Sequence, residues 1–441
     1  MRSERMRRER RTFLARCLGG AAALMLPVAA GRAGQTDDDP AVDSLERIGS
    51  AARSDDERGL WAVVREQFAL DPELTYLNNA GLGPSPVRVI HTVARETSAL
   101  ERISEAGHER VAAVRERLCR FLRCDKDELA FTRNTTEGMN IIARGLPLEA
   151  GDEVLLTTHE HPGGAMCWLS LAKDRGVRVK LFEPGVGGED TLARAAAAMT
   201  PRTRVLSVSH VTCTHGLRLP VRELTKLCRD KGIVSVVDGA QALGMLPVDL
   251  HAIGCDFYAA SGHKWLLGPT GTGLLYVRRA MFDMWHPTYV GAYSDREYDL
   301  DKGTLAYLPT ASSVEAGTHN TPLILGLGAA VDFLDAIGGE RIMRRGRALA
   351  ARVREGLQAH DALEVLTPED PRSTGAIVTF RLRNGQMDPW VWANRLRKEH
   401  RIRVRPVGEH GLNAVRVSTY VYNSFEDVDR FLAAVSGLLK G

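Results

Sequence analysis

Two short segments carry the residues with the clearest chemical content. The first is an apolar, β-branched run, Ile233-Val234-Ser235-Val236-Val237, that ends in Asp238 and passes into Gly239-Ala240-Gln241. Twenty-six residues after Asp238 comes Lys264, within Ser261-Gly262-His263-Lys264-Trp265, and the glycine-rich Gly268-Pro269-Thr270-Gly271-Thr272-Gly273 follows. An acid at the carboxyl end of a buried strand sits where open α/β sheets bind ligands. A lysine on a loop at the same edge can reach it. This is the pair that pyridoxal 5′-phosphate (PLP) asks for. Lys264 supplies the amine for a Schiff base, and Asp238 keeps the pyridine nitrogen protonated so that the ring accepts electrons from a substrate Cα. Taken singly, Asp238 reads as a helix cap and Lys264 as a solvated lysine. Their spacing, with Gln241 and His263 alongside, favours the cofactor.

A third segment, Phe131-Thr132-Arg133-Asn134-Thr135-Thr136-Glu137-Gly138, spaces Asn134 and Glu137 as a capping box and so predicts a helix start. Free N–H groups and the positive end of the helix dipole favour a phosphate there, with the Thr135 and Thr136 hydroxyls as further donors. A plain cap is the simpler reading of this segment alone. Beside the lysine segment it becomes a phosphate site.

These residues need a scaffold. From Leu74 to about Val277, short apolar runs alternate with helix-length segments. The predicted strands are 128–132, 153–157, 177–182, 204–208, 233–238, 257–259 and 273–277, and helices are predicted near 136–143, 165–174, 191–199 and 221–230. Such alternation predicts an α/β fold, a mostly parallel seven-stranded sheet covered on both faces. After Pro322 the pattern changes to helices at 323–337 and 340–359, strands at 376–382, 402–405 and 414–418, and helices near 390–400 and 425–439. That reads as a smaller C-terminal α+β domain. The large PLP-binding domain is expected over 71–322 and the small one over 323–441.

Asp238-Gly239-Ala240-Gln241 and Ser261-Gly262-His263-Lys264 resemble the two signature segments of class V aminotransferases, a group that includes cysteine desulfurases, selenocysteine lyases and isopenicillin N epimerase. The resemblance runs from about Thr75 to Leu439. It implies the PLP-dependent transferase fold type I and a homodimer with shared active sites. By the same resemblance Thr135, Thr136, Ser261 and His263 bind the cofactor phosphate, Gln241 hydrogen-bonds the phenolic oxygen of the ring, and His161, in Glu160-His161-Pro162, stacks on the ring face. Thr318, in Glu315-Ala316-Gly317-Thr318-His319-Asn320, would reach the phosphate of the other subunit. Val415-Arg416-Val417-Ser418, followed by Tyr422-Asn423, resembles the strand whose arginine grips the substrate carboxylate. A planar guanidinium does so through two parallel hydrogen bonds.

Two departures bear on the reaction. Desulfurases of this group carry a nucleophilic cysteine shortly before that arginine, whereas residues 402–412 contain none and the last cysteine is Cys255. Cys213 stands where desulfurases have an asparagine near the ring; a small buried filler is its commoner role. What remains resembles the isopenicillin N epimerase-like branch, a PLP enzyme acting at the Cα of a small-molecule amino-acid substrate by epimerisation or transamination, with Lys264 moving the proton. The alternatives are a C–S or C–Se lyase without a cysteine nucleophile, and a non-catalytic PLP-fold binding protein. Neither a Gly-x-Ser-x-Gly elbow nor a His-Glu-x-x-His metal pair is present, and no metal site is expected.

The N-terminus reads as an address. Seven arginines lie within the first 16 residues, an apolar run follows from Leu18 to Ala30, and small residues surround Ala33. Residues 1–33 are therefore expected to be an export signal. The run is too short to span a membrane, which needs about 20 residues, so no stable membrane anchor is expected. Arg10-Arg11-Thr12-Phe13-Leu14 resembles the twin-arginine signal, which implies the twin-arginine export machinery as a partner and a periplasmic or otherwise exported protein. Residues 34–70 read as an N-terminal linker and arm, solvated over the acidic stretch 35–57. A net charge of +3, much of it in the signal, makes no case for nucleic acid. Six scattered cysteines outside the signal do not indicate a disulfide framework. Changing Arg10 and Arg11 together to lysine is expected to stop export, read as loss of the mature form from the periplasmic fraction; normal export of that variant would reject the twin-arginine reading.

Overall fold

A two-residue strand, β1 (Thr75–Tyr76), precedes seven strands that form one sheet in the computed structural model, which describes residues 40–54, 56–386 and 388–440. They are β2 (Leu129–Thr132), β3 (Glu153–Thr157), β4 (Arg178–Phe182), β5 (Thr203–Ser209), β6 (Val234–Asp238), β7 (Phe257–Ser261) and β8 (Gly273–Val277). Their order is β2-β8-β7-β6-β5-β3-β4. Neighbours from β7 to β4 are parallel, and β8 alone runs against both β2 and β7. The predicted mostly parallel, seven-stranded sheet is therefore present, with ends shifted by at most two residues. β3, β7 and β8 are buried along their whole length, as a sheet covered on both faces requires.

One face packs Met139 and Ile142 of the helix Thr135–Gly145 and Trp168 and Leu171 of the helix Pro162–Arg175 against the sheet. The first of these helices lies close to β7, because a methyl group on Gly138 would meet Ala259 Cβ at 2.9 Å. The other face packs the helices Val111–Leu122, Val221–Asp230 and Thr321–Ile337. Thr321–Ile337, whose pattern was expected to open the small domain, buries Leu327, Phe333 and Leu334 in the same core as Leu60, Val114 and Leu118.

After β8 along the chain, a hairpin forms from β9 (Asp295–Asp299) and β10 (Thr304–Tyr307). The C-terminal sheet contains β11 (Leu363–Val365) and β12 (Ile377–Leu382). After β13 (Ile402–Arg403) come β14 (Arg405–Val407) and β15 (Ala414–Ser418), giving an antiparallel order β11-β12-β15-β14. β13 leaves this sheet and pairs with β1, Thr75 opposite Ile402. The predicted strand 402–405 is thus two strands with different partners.

The expected signal at 1–33 lies outside the described residues. The expected solvated linker is corrected. Residues 40–53 and 57–66 are helices, and Ile48, Leu60, Trp61 and Val64 are buried in the main core. Their periodic apolar positions escape notice because the acids between them dominate the composition. Ile48→Ala should lower the unfolding free energy by about 2–4 kcal/mol, the usual cost of deleting a buried aliphatic side chain. Urea unfolding measures this, and an unchanged midpoint would return the segment to the status of a linker.

Candidate active site

The carboxyl ends of β6 and β7 meet a cavity of about 340 Å³. Asp238, the last residue of β6, is buried there. Its Oδ1 accepts from Ala240 N at 2.9 Å. Burial raises its pKa, with that N–H and the Lys264 ammonium pulling the other way. Lys264 lines the same cavity, and burial lowers its pKa against the opposing attraction of Asp238. The two helices after β2 and β3 start at this edge. Gly164 permits that approach, since a Cβ on it would meet Asp238 Oδ2 at 2.8 Å.

The phosphate-type residues converge as the sequence predicts. Thr135 N donates to Ser261 Oγ at 3.1 Å, and the two hydroxyls lie 2.7 Å apart. Asn134 caps the helix by accepting from Glu137 N at 2.9 Å. The reciprocal half of the expected box differs: Glu137 accepts from Arg133 N, one residue earlier. His263 also lines the cavity, and its buried Nδ1 has no protein partner. A buried donor or acceptor left so is costly, and a phosphate oxygen is a suitable partner.

His161 caps the helix Pro162–Arg175, its Nδ1 accepting from Gly163 N at 3.0 Å. That bond leaves the ring proton on Nε2. Burial, then Lys264 and Arg405, hold its pKa down to about 4. Gln241 is fixed at both ends of its amide. Nε2 donates to Ala80 O at 2.9 Å, and Oε1 accepts from Trp265 Nε1 at 2.7 Å. One N–H of that amide remains.

Arg416 is 2% exposed and lines the cavity from β15. It donates to Cys213 O at 2.6 Å and to Asn78 Oδ1 at 3.4 Å. Burial, then Arg405, lowers its pKa to about 10. The Cys213 thiol is buried beside it, and burial pushes its pKa up. Thr318 is the one predicted site residue placed elsewhere. It lines a second cavity of about 400 Å³ with Arg133, Tyr289 and Asn320.

Three contributions were not legible. The segment Tyr76–Gly83 supplies Ala80 and Gly81 to the cavity wall, Asn78 to Arg416, and Gly83 N to His263 O at 2.9 Å. Tyr422 and Asn423 serve this segment, through Asn79 Oδ1 at 3.1 Å and Tyr76 O at 3.0 Å. Glu160 is buried, accepting from Thr157 Oγ1 at 2.6 Å and Ser209 Oγ at 2.6 Å, and burial lifts its pKa to about 7. It ties the ends of β3 and β5 together beside His161. Arg405 joins Arg416 in the wall. No residue of 285–308 lines this cavity.

Residues 75–431 match the family aminotransferase class-V. The chain belongs to that family. As a class V enzyme it is similar to an isopenicillin N epimerase of Amycolatopsis lactamdurans, 36% identical over 398 residues that cover 86% of this chain and 99% of that one. Among solved structures it is similar to a cysteine desulfurase of Thermococcus onnurineus, with a TM-score of 0.78 and 30% identity over 86% of this chain and 98% of that one. It also resembles the cystine C–S lyase C-DES, with a TM-score of 0.76 and 27% identity over 83% and 98% of the two chains. Another structure of that lyase has glycine covalently linked to its PLP cofactor. The fold is thus PLP-dependent fold type I, and this class V member is a PLP-dependent enzyme, a conclusion the fit of the cavity to a phosphorylated pyridine supports independently.

His161 stays neutral in the fold down to about pH 4, whereas an unfolded histidine takes its proton near pH 6.5. Between those values the unfolded chain binds the extra proton, so His161 withdraws stability as pH falls through the window. His161→Asn should flatten the acid side of the stability curve from pH 6.5 to 4, measured by urea unfolding at stepped pH; an unaltered slope would place His161 in solvent.

Proposed function

We propose that the protein acts outside the cytoplasm as a PLP-dependent enzyme that moves the proton on the Cα of an amino acid or small derivative, as an epimerase or aminotransferase does. The observation that carries this reading is Lys264, a buried amine of lowered basicity in one cavity with Asp238 and Arg416. When bound, PLP supplies the sink for the electron pair left at Cα. Arg416 holds the substrate carboxylate, which fixes the direction of the Cα bonds. Lys264 would take and return the Cα proton; a buried amine of lowered basicity at the same cavity is placed for both. Asp238 would keep the pyridine nitrogen protonated. His161, neutral and fixed by Gly163 N, would face the ring, and Thr135, Thr136, Ser261 and His263 would hold the phosphate. Gln241 would offer its remaining N–H to the phenolic oxygen.

The loop before Arg416 bears Glu409 and His410 and no thiol, which speaks against persulfide formation. Thr318 stands away from the cavity of its own chain, which supports the reading that a homodimer completes each site with Thr318 of the other subunit. Likeness to a cystine C–S lyase supports a second reading, elimination of a sulfur or selenium substituent after the same proton is removed.

Two measurements test the first reading. Lys264→Ala should abolish attachment of the cofactor to the chain by borohydride; retained attachment would overturn the assignment of Lys264. Arg416→Ala should raise KM for carboxylate substrates roughly 10- to 100-fold, since a hydrogen bond to a charged group contributes about 1.5–3 kcal/mol. Incubation with L- and D-amino acids in heavy water separates the reactions. Deuterium at Cα with inversion marks an epimerase, a keto acid formed without release of ammonia a transaminase, and release of a sulfur or selenium species together with ammonia and a keto acid the lyase.

A further inference from the structure

We infer that the substrate carries a second anionic group, received by Arg405, and that the Glu409 carboxylate stands in for that group when no substrate is bound. The inference deepens the proposed function, on which it rests for the role of Arg416.

Arg405 and Arg416 are directly opposite one another on β14 and β15. Residues so paired share one face of the sheet with Cβ atoms about 5 Å apart, and like charges there repel. Both side chains line the same cavity as Lys264. A fold that places two guanidinium groups side by side in a part-buried wall needs anions to balance them. Part of each group also lacks a partner. Arg416 Nε and Arg405 Nη1 are both buried without an acceptor. Two unmet donors on two cations at one wall describe a receptor for more than a single carboxylate.

The partner that Arg405 does have is informative. Its Nη2 is paired with Glu409, which stays ionised because Arg405 offsets the effect of burial. Glu409 does not come from the strands. It opens the short turn Glu409–Gly411, in which His410 and Gly411 have φ of 55° and 70°. A Cβ on Gly408 or Gly411 would meet nothing within 4 Å, so there is open space on both sides of Glu409, although His410 lies edge-on to His159 with ring centroids 6.0 Å apart. Arg405 is thus held on rigid strand backbone, while the carboxylate that neutralises it sits on a turn with room to withdraw. A ligand carboxylate can replace it without leaving a buried charge bare.

The probes are malonate, succinate, glutarate and adipate, each compared by calorimetry with the monocarboxylate of equal carbon number, on the PLP-loaded protein. At least one diacid should bind about tenfold tighter than its monoacid, as one added charged hydrogen-bonded pair would give. In Arg405→Ala that ratio should fall to near one, with part of it restored in Arg405→Lys. Glu409→Gln should tighten the diacid several-fold by removing the competitor. Wild-type protein that binds diacids no better than monoacids, or a preference that survives Arg405→Ala, would overturn the inference. The same titration on cofactor-free protein keeps the two proposals apart. A preparation that never takes up PLP refutes the enzyme reading, while the diacid ratio still reports on Arg405.

Discussion

A buried carboxyl group lies at the end of the central strand β6, and the rest of the site follows from keeping it useful. Burial pushes the pKa of Asp238 up. Its two compensations are the Ala240 N–H and the positive charge of Lys264, and a cationic ring nitrogen would be the third. The helix approaching it must carry glycine at 164, in its first turn, because a side chain there would fill the space beside Oδ2. The strand after it must carry Ser261 to the same edge, where Thr135 waits at the start of another helix. Sheet register, helix starts and small residues all converge on one electrostatic requirement.

The second half of the site is brought from far along the chain. β15 carries Arg416 into the cavity, and the residues that follow it hold down the segment Tyr76–Gly83 through Ser418, Tyr422 and Asn423. That segment then fixes Gln241 by way of Ala80. Tyr420 adds a bond of 2.6 Å to the carbonyl of Trp265, beside the lysine. The carboxylate grip and the cofactor edge are therefore parts of one hydrogen-bonded assembly.

Much of this was legible in the residues. β3, β8 and β15 follow from their apolar runs to the residue, because a strand buried on both faces leaves no ambiguity of face. Asp238 and Lys264 stand out because their chemistry is rare at that spacing. The segment Tyr76–Gly83 gives no such signal. It has no apolar period, its work is done largely by backbone atoms, and its meaning depends on partners more than 150 residues away. Arg405 is one arginine among many until cross-strand pairing sets it beside Arg416. The helices Pro40–Arg53 and Glu57–Glu66 are masked by exposed charges, Glu46, Arg47 and Arg53 in the first and Glu57, Arg58, Arg65 and Glu66 in the second, around few buried positions.

Pairing of Thr75 with Ile402, and of Leu77 with Ser418, has a consequence for the order of events during synthesis. Contacts between such distant positions form late, after the loop between them is complete. While the ribosome is still making β13–β15, a nascent chain can already have its large sheet and its lysine, yet Ala80 lacks the Ser418 hydroxyl that helps to hold it against Gln241. The pocket takes shape as the last segment emerges and docks. Completion of the cavity wall is thereby tied to the last strands, so an interrupted chain would keep most of the scaffold and lack Arg405 and Arg416.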